Sequence, residues 1–172
     1  MRGRTYLGKG MPHKTSFRTT QLQISNDCGV KTAINKSNFP ILERLALNPG
    51  CFREPHWHAN SHELSHCLKG KMLVTLFASG NQHSQFTISE GEMFFAPSGS
   101  FHAIENLSDS EWRFLIFFDN PDVQDIGFTG AIPASSDRMI GAALELTAGQ
   151  VARIPKQSGD LLIVSKVNSV AK

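Results

Sequence analysis

Two groups of residues at fixed spacing limit what this chain can fold into more than any other feature. Each group places turn-forming residues beside side chains that can bind metal: Gly50, His56, His58, Glu63 and Gly70, then Gly91, Pro97, Gly99, His102 and Asn106. Imidazole nitrogen and carboxylate oxygen are ligands that suit divalent transition metals. The sequence therefore predicts one metal site with four ligands, His56, His58, Glu63 and His102. Such a site would leave coordination positions open for a bound molecule.

The first group has the spacing of a strand, a turn and a second strand. His56 and His58 are two residues apart, so a strand would place both imidazoles on one face and Trp57 on the other. Residues 59–62 have turn composition. We expect the strand that begins at Glu63 to run back beside the first as a hairpin, with its carboxylate facing the two imidazoles.

The fourth ligand comes from a distant segment. Pro97 and Gly99 favour a tight turn that determines where His102 lies. A single histidine is ordinarily a surface or core residue, and we expect His62 and His66 to be of that kind. The ten residues of the two groups, of these types and at these spacings, are hard to explain by composition alone.

The rest of the chain predicts an all-β domain with a helical tail. Short strand-like runs are separated by glycine, proline, asparagine and serine, which is typical of a β-sandwich or barrel; they cover residues 40–47, 71–78, 85–88, 92–96 and 112–118. Helical spacing begins after Pro133, and Thr147–Gln150 resembles a capping box. We therefore expect an N-terminal arm at 1–25, a barrel at 26–132 and a helical tail at 133–172.

Composition excludes several classes of function. The 172 residues fit one domain, and 17 basic against 15 acidic residues give a net charge of +2 without a clustered basic face. We therefore expect no nucleic-acid partner, and no apolar run is long enough for a membrane span. The N-terminus lacks the apolar middle of a secretion signal, which predicts a cytoplasmic location. Three cysteines cannot all pair internally, so we expect a reducing compartment.

The two groups resemble the two motifs of the cupin superfamily at all ten positions: Gly-x5-His-x-His-x4-Glu-x6-Gly, then Gly-x5-Pro-x-Gly-x2-His-x3-Asn. Residues 49–58 are similar to the metal-binding segment of the germin and oxalate decarboxylase group. From Cys28 to Lys156, the chain resembles one half of a two-domain oxalate decarboxylase. The resemblance implies a cupin double-stranded β-helix, a jelly-roll barrel with short C-terminal helices. It also implies a homo-oligomer and Mn(II), with iron, nickel or zinc as alternatives.

Two further residues are predicted to act at the site. An arginine can hold a carboxylate through two parallel hydrogen bonds, and the resembled decarboxylases have an arginine at the position of Arg53. Strict alternation would place Arg53 opposite His56, but Pro55 favours a bulge that would turn both inward. Those enzymes also carry a glutamate acid on the loop after the second motif, where this chain has Gln124 and Asp125. Asp125 is therefore the candidate proton donor, with Asp122 as an alternative.

These observations favour a metal-dependent enzyme that acts on oxalate or another small carboxylate, with dioxygen as a second ligand. The product would be formate for a decarboxylase-like lyase, or hydrogen peroxide for an oxidase. A cupin that binds a small molecule without turnover is the alternative, favoured by Ile116 at a position where the resembled enzymes carry a second glutamate. Dioxygenation or isomerisation of a larger substrate also stays open.

Overall fold

Two β-sheets form the frame of the part of the chain that a computed structural model describes, residues 23–33, 41–156 and 162–165. The elements in chain order are β1 (Gln23–Asn26), β2 (Gly29–Ala33), β3 (Leu42–Leu47), β4 (Cys51–His58), β5 (Glu63–Lys69), β6 (Lys71–Ala78), β7 (Gln82–Ser89), β8 (Met93–Ala96), β9 (His102–Asn106), β10 (Trp112–Phe118), β11 (Asp125–Gly127), α1 (Phe128–Ala134), α2 (Asp137–Leu144), α3 (Ala148–Val151) and β12 (Ile163–Ser165). Residues 1–22, most of the predicted arm, lie outside the described residues.

The order of strands is that of a jelly roll. One sheet runs β1-β2-β3-β10-β5-β8, and the other runs β11-β4-β9-β6-β7, with β12 also paired to β4. Neighbouring strands pair antiparallel and often come from distant parts of the chain. Jelly rolls have this two-sheet arrangement. The predicted all-β fold is confirmed.

Alternating side chains build the core between the sheets. In β5, Glu63, Ser65 and Cys67 are buried, while the residues between them are more exposed. The largest fully buried apolar side chains come from both sheets: Trp112, Phe114, Phe118, Leu45, Leu47, Met72, Ile104 and Val74. Nε1 of Trp112 donates to Sγ of Cys67 at 3.1 Å, so its polar end is also satisfied.

The prediction that β4 and β5 form a hairpin is wrong. The two strands belong to different sheets, so Glu63 faces the histidines across the interior. The turn at residues 59–62 carries the chain from one sheet to the other. It is held by Asp119, whose Oδ1 accepts hydrogen bonds from Ser61 Oγ and His62 N, both at 2.8 Å. Two strands with buried inner faces can meet face to face as well as edge to edge, and alternation alone does not distinguish these cases.

The predicted bulge in β4 is confirmed. The register between β4 and β9 shifts between Arg53 and His56. Both residues are consequently buried although they are three apart. Glu54 is also buried, and its carboxylate accepts hydrogen bonds from Thr129 N at 2.9 Å and Leu162 N at 2.6 Å. This carboxylate ties α1 and the segment that leads into β12 to β4.

The C-terminal part differs in detail from the expected tail. The capping box between Thr147 and Gln150 is present and begins α3. The sequence did not predict α1, which begins at Phe128 and contains Pro133. It also missed β12, which returns the chain to the edge of β4. Among the described residues, no helix has the length and apolar character needed to span a membrane.

Two of the three cysteines are paired. Cys28 and Cys51 form a disulfide between the turn before β2 and the start of β4, with their Cα atoms 5.4 Å apart. Cys67 is free and buried. The sequence did not predict this pairing, because only the fold brings together two cysteines that are 23 positions apart, and disulfides are rare in the reducing compartment expected above. The cytoplasmic location stays a prediction.

Candidate metal centre

The four predicted ligands converge inside the barrel. His56 and His58 come from the end of β4, and Glu63 and His102 are the first residues of β5 and β9. One potential ligand atom from each residue lies within 4.8 Å of the others. All four residues are at most 3% exposed. Backbone pairing contributes directly, since His56 lies opposite His102 in the register of β4 and β9.

One carboxylate oxygen lies among the imidazole rings. Oε2 of Glu63 is 2.9 Å from Nε2 of His58 and 3.2 Å from Nε2 of His102. The ring centroid of His56 is 4.1 Å from that of His102 and 5.1 Å from that of His58. The three imidazoles and the carboxylate could therefore be ligands to a single ion.

Backbone carbonyls prepare two of the histidines for metal binding. Nδ1 of His56 is 2.7 Å from the carbonyl oxygen of Glu54, and Nδ1 of His102 is 2.8 Å from that of Ser100. A carbonyl oxygen can only accept, so each Nδ1 carries a proton and donates it. When such a ring is neutral, as in His56, its lone pair lies on Nε2, the usual arrangement for a metal-bound histidine. The ring of His58 packs edge-on against Phe118, with centroids 4.7 Å apart.

The electrostatics of the group favour a cation. Burial, followed by the charge of Arg53, holds the pKa of His56 well below its usual value and keeps that ring neutral. Burial alone would raise the pKa of Glu63, but the charge of His102 and hydrogen bonds from His102 and His58 outweigh it and lower that pKa. For His102, burial acts to lower the pKa, but the charge and hydrogen bond of Glu63 outweigh it and raise that pKa. A metal must displace the proton that Nε2 of His102 shares with Glu63, so the affinity for metal should fall at acidic pH.

The residues present fit a divalent transition metal. Three imidazoles and one carboxylate form a mixed nitrogen and oxygen set that manganese, iron, nickel and zinc can all use. Two tautomers are already set by backbone carbonyls, and the glutamate is anionic before any ion arrives. The group is therefore able to bind a metal ion.

The predicted pair Arg53 and Asp125 meets beside this group. Nη2 of Arg53 is 2.5 Å from Oδ2 of Asp125, and Nη1 donates to the carbonyl oxygen of Leu162 at 3.1 Å. Asp125 lies opposite His58 in the register of β11 and β4. Lys31 adds a second cation 3.3 Å from Oδ2 of Asp125. The structure thus places both residues near the four candidate ligands and also joins the two residues to each other.

Asp125 is held as an anion. Burial acts to raise its pKa, but the charges of Arg53 and Lys31 outweigh that effect and lower the pKa below its usual value. Lys31 is itself paired with Glu43, with Nζ 2.9 Å from Oε2. A proton donor in this position would first have to lose one of its cations.

Three residues near the site were missed by sequence reasoning. Ser65 is fully buried, and its Oγ donates to Oε1 of Glu63 at 2.6 Å. Strand alternation could have found it, because it follows Glu63 by two residues. Lys31 and Glu43 had no comparable signal, since the contacts of Lys31 with Asp125 and with Glu43 depend on how strands pack.

The remaining candidates lie outside the ligand group, as expected. His62 accepts a hydrogen bond from Ser98 N at 3.0 Å, and its ring stacks on Phe95. Trp57 packs against Phe101 with centroids 5.7 Å apart. These two aromatic residues also line an apolar groove of about 520 Å³ with α1 and α2. Since Trp57 faces away from the imidazoles, that groove is distinct from the metal group.

Comparison with known proteins agrees with this geometry. Residues 15–152 match the family model described as Cupin. The chain is 26% identical over 142 residues to oxalate decarboxylase OxdC of Bacillus subtilis (strain 168), and 29% identical over 117 residues to oxalate oxidase GF-3.8 of Triticum aestivum. A solved structure of oxalate decarboxylase from Bacillus subtilis at pH 4.6 superposes with a TM-score of 0.75 at 24% identity, over 84% of this chain and 39% of that chain.

The chain belongs to the cupin family, because the family model covers most of its length. The matches cover 79% of this chain for the Bacillus enzyme and 64% for the wheat enzyme. The chain spans 37% of the first of these relatives and 52% of the second. The similarity therefore establishes the family and the fold, and the activities belong to those longer proteins.

Proposed function

We propose that this cupin binds a divalent metal, with Mn(II) as the first candidate, and acts on oxalate or another small carboxylate as a decarboxylase-like enzyme. One observation carries the proposal: a buried group of three histidines and one glutamate lies beside Arg53, which already binds a carboxylate in the barrel wall. The names of the relatives, oxalate decarboxylase and oxalate oxidase, support oxalate as the substrate.

Arg53 is the residue that would orient the substrate. A bound divalent metal would supply positive charge for one carboxylate, with open coordination positions for substrate and dioxygen. Arg53 lies close enough to His56 and His102 to influence the pKa of both. Its forked guanidinium suits a second carboxylate, and one arm of the fork, Nη2, already bonds to the carboxylate of Asp125. A substrate with two acidic groups would therefore be held at both ends.

Asp125 is the residue that would return a proton. Decarboxylation breaks the carbon–carbon bond of oxalate, and one carbon leaves as carbon dioxide. The other must take up one proton to become formate. When the substrate takes Arg53, Asp125 loses a cation that lowers its pKa and can then hold that proton. Without such a donor, oxalate could give two electrons to dioxygen, yielding two molecules of carbon dioxide and, with two protons, hydrogen peroxide.

Binding without turnover is the second candidate. It is favoured by the two cations that hold Asp125 as an anion and by Ile116, an apolar residue on the inner face of β10. In that case a small carboxylate would raise the melting temperature of the metal-loaded protein with no chemical change.

The test is to incubate metal-loaded protein with ¹³C-oxalate and oxygen while following formate and peroxide. We expect formate, and a loss of kcat of roughly 100-fold in Asp125→Asn. Arg53→Lys is the matched control for geometry, because it keeps the charge and loses the fork; we expect it to raise KM while metal content stays constant. If the protein carries a full metal complement and forms neither product, the proposed enzymatic activity is wrong. If Asp125→Asn forms formate as fast as the wild type does, Asp125 is not the acid.

A further inference from the structure

We propose that Ser65 is a positioning residue that makes Glu63 a one-oxygen metal ligand and so sets how many coordination positions stay open. The inference rests on the proposed metal-binding function. It concerns two neighbouring side chains on the inner face of β5 that divide the oxygens of one carboxylate between them.

The division of the two oxygens is visible in the contacts. Ser65 Oγ donates to Oε1 of Glu63 at 2.6 Å, the length of a strong hydrogen bond from a hydroxyl to a carboxylate. Oε2 is the oxygen that faces Nε2 of His58 and His102. One oxygen is therefore engaged by the serine, and the other is directed at the metal group.

A packing role alone does not explain a serine here. Ser65 is 0% exposed, and its register partners on the adjacent strands are Ile116 and Phe94. Burying a hydroxyl among apolar side chains is unfavourable unless it is hydrogen-bonded. The bond to Glu63 offsets that penalty, whereas alanine would fill the same position without needing a partner.

The number of metal bonds from Glu63 has a chemical consequence. A carboxylate can ligate through one oxygen or through both. With one oxygen, the three imidazoles and Glu63 occupy four positions of a six-coordinate ion, which leaves two for small ligands. With both oxygens, only one position remains. Ser65 thus favours a centre that can bind two donor atoms at once, as a chelating carboxylate or a carboxylate with dioxygen requires.

The experiment compares Ser65→Ala with Ser65→Thr, which keeps the hydroxyl. Apparent Kd for Mn(II) is measured by chelator competition, and the Mn(II) spectrum by electron paramagnetic resonance, with the melting temperature of the metal-free protein as a folding control. We expect Ser65→Ala to bind Mn(II) roughly 10- to 100-fold more weakly and to change the fine structure of the spectrum. Ser65→Thr should restore both toward the wild type.

The outcomes separate this inference from the proposed function. If the wild type binds Mn(II) and Ser65→Ala gives the same Kd and spectrum, the serine only fills space and the inference is wrong. If the wild type binds no divalent metal, the proposed function fails together with the inference. A crystal structure of the Mn(II)-loaded wild type provides a test that needs no variant. It should show Oε2 alone bound to the metal, and two bound oxygens would overturn the inference.

Discussion

The ion pair between Arg53 and Asp125 should contribute to stability in a pH-dependent way. Its partners are 3% and 19% exposed, so the pair is largely shielded from water. We expect Asp125→Asn to lower the free energy of unfolding by roughly 3 kcal/mol at neutral pH, because a buried guanidinium loses the nearer of its two charged partners, Asp125 and Glu54. Denaturant titrations of the wild type and the variant measure this difference.

The pH dependence follows from the lowered pKa of Asp125 in the folded protein. The pKa of this aspartate in the unfolded chain is about 3.9, so the stabilisation is fully present above about pH 4. It is lost as pH falls through the lower pKa of Asp125 in the folded protein. Asp137→Asn is the control, because its bond with Lys156 is exposed and should contribute little. A wild-type advantage over Asp125→Asn that stays constant down to about pH 2 would contradict this assignment.

The individual ligands could be predicted because their spacing along the chain determines the strand face or turn that each one occupies. His56 and His58 share a strand face, and the turn before His102 sets its position. Ser65 obeys the same alternation and was within reach of sequence reasoning. The pairing of Cys28 with Cys51, and the approach of Lys31 to Asp125, depend on contacts between distant strands that no local pattern specifies.

The turn between β5 and β6 requires glycine for two reasons that substitution can separate. Gly70 has φ of +90°, and an added Cβ would lie 2.9 Å from Cδ1 of Trp112. Gly91 has a similar φ of +86° but open space around it. Both alanine variants bear left-handed backbone strain of about 1–2 kcal/mol, and only Gly70→Ala should add a clash with the core of about 1–3 kcal/mol.

Urea unfolding of the two glycine variants tests this difference. We expect Gly70→Ala to lower the free energy of unfolding clearly more than Gly91→Ala does. Equal effects would mean that backbone conformation alone accounts for both glycines and that contact with Trp112 contributes nothing.

The features of a single strand were easier to predict than the strands with which it pairs. The bulge in β4 follows from Pro55, because proline disrupts a regular ladder. The sheet to which β5 belongs could not be derived in that way. Side-chain alternation determines which face of a strand is buried, but a jelly roll and a hairpin bury the same face. The helix α1 was missed because Pro133 and Gly130 are poor helix formers, and tertiary contacts decide such cases.

Association of the whole chain is expected from its apolar surface as well as from the family resemblance. Three side chains on α1 and α2, Phe128, Met139 and Leu144, are 44–62% exposed along the groove of about 520 Å³. We expect wild-type protein to form oligomers through this surface and Met139→Glu to shift them toward monomers, as seen by light scattering after size exclusion. Leu107→Glu changes another exposed apolar residue and should leave the oligomer intact. A wild type that stays monomeric at high concentration would contradict this expectation.

Metal content per chain decides whether the four converging side chains form a metal site. The measurement is elemental analysis by mass spectrometry after the protein has been exposed to Mn(II) and dialysed extensively. We predict one divalent ion per wild-type chain and almost none in His56→Ala or Glu63→Gln, since each variant removes one of four buried ligands. A wild type that remains free of metal, or variants that retain as much as the wild type, would contradict the prediction.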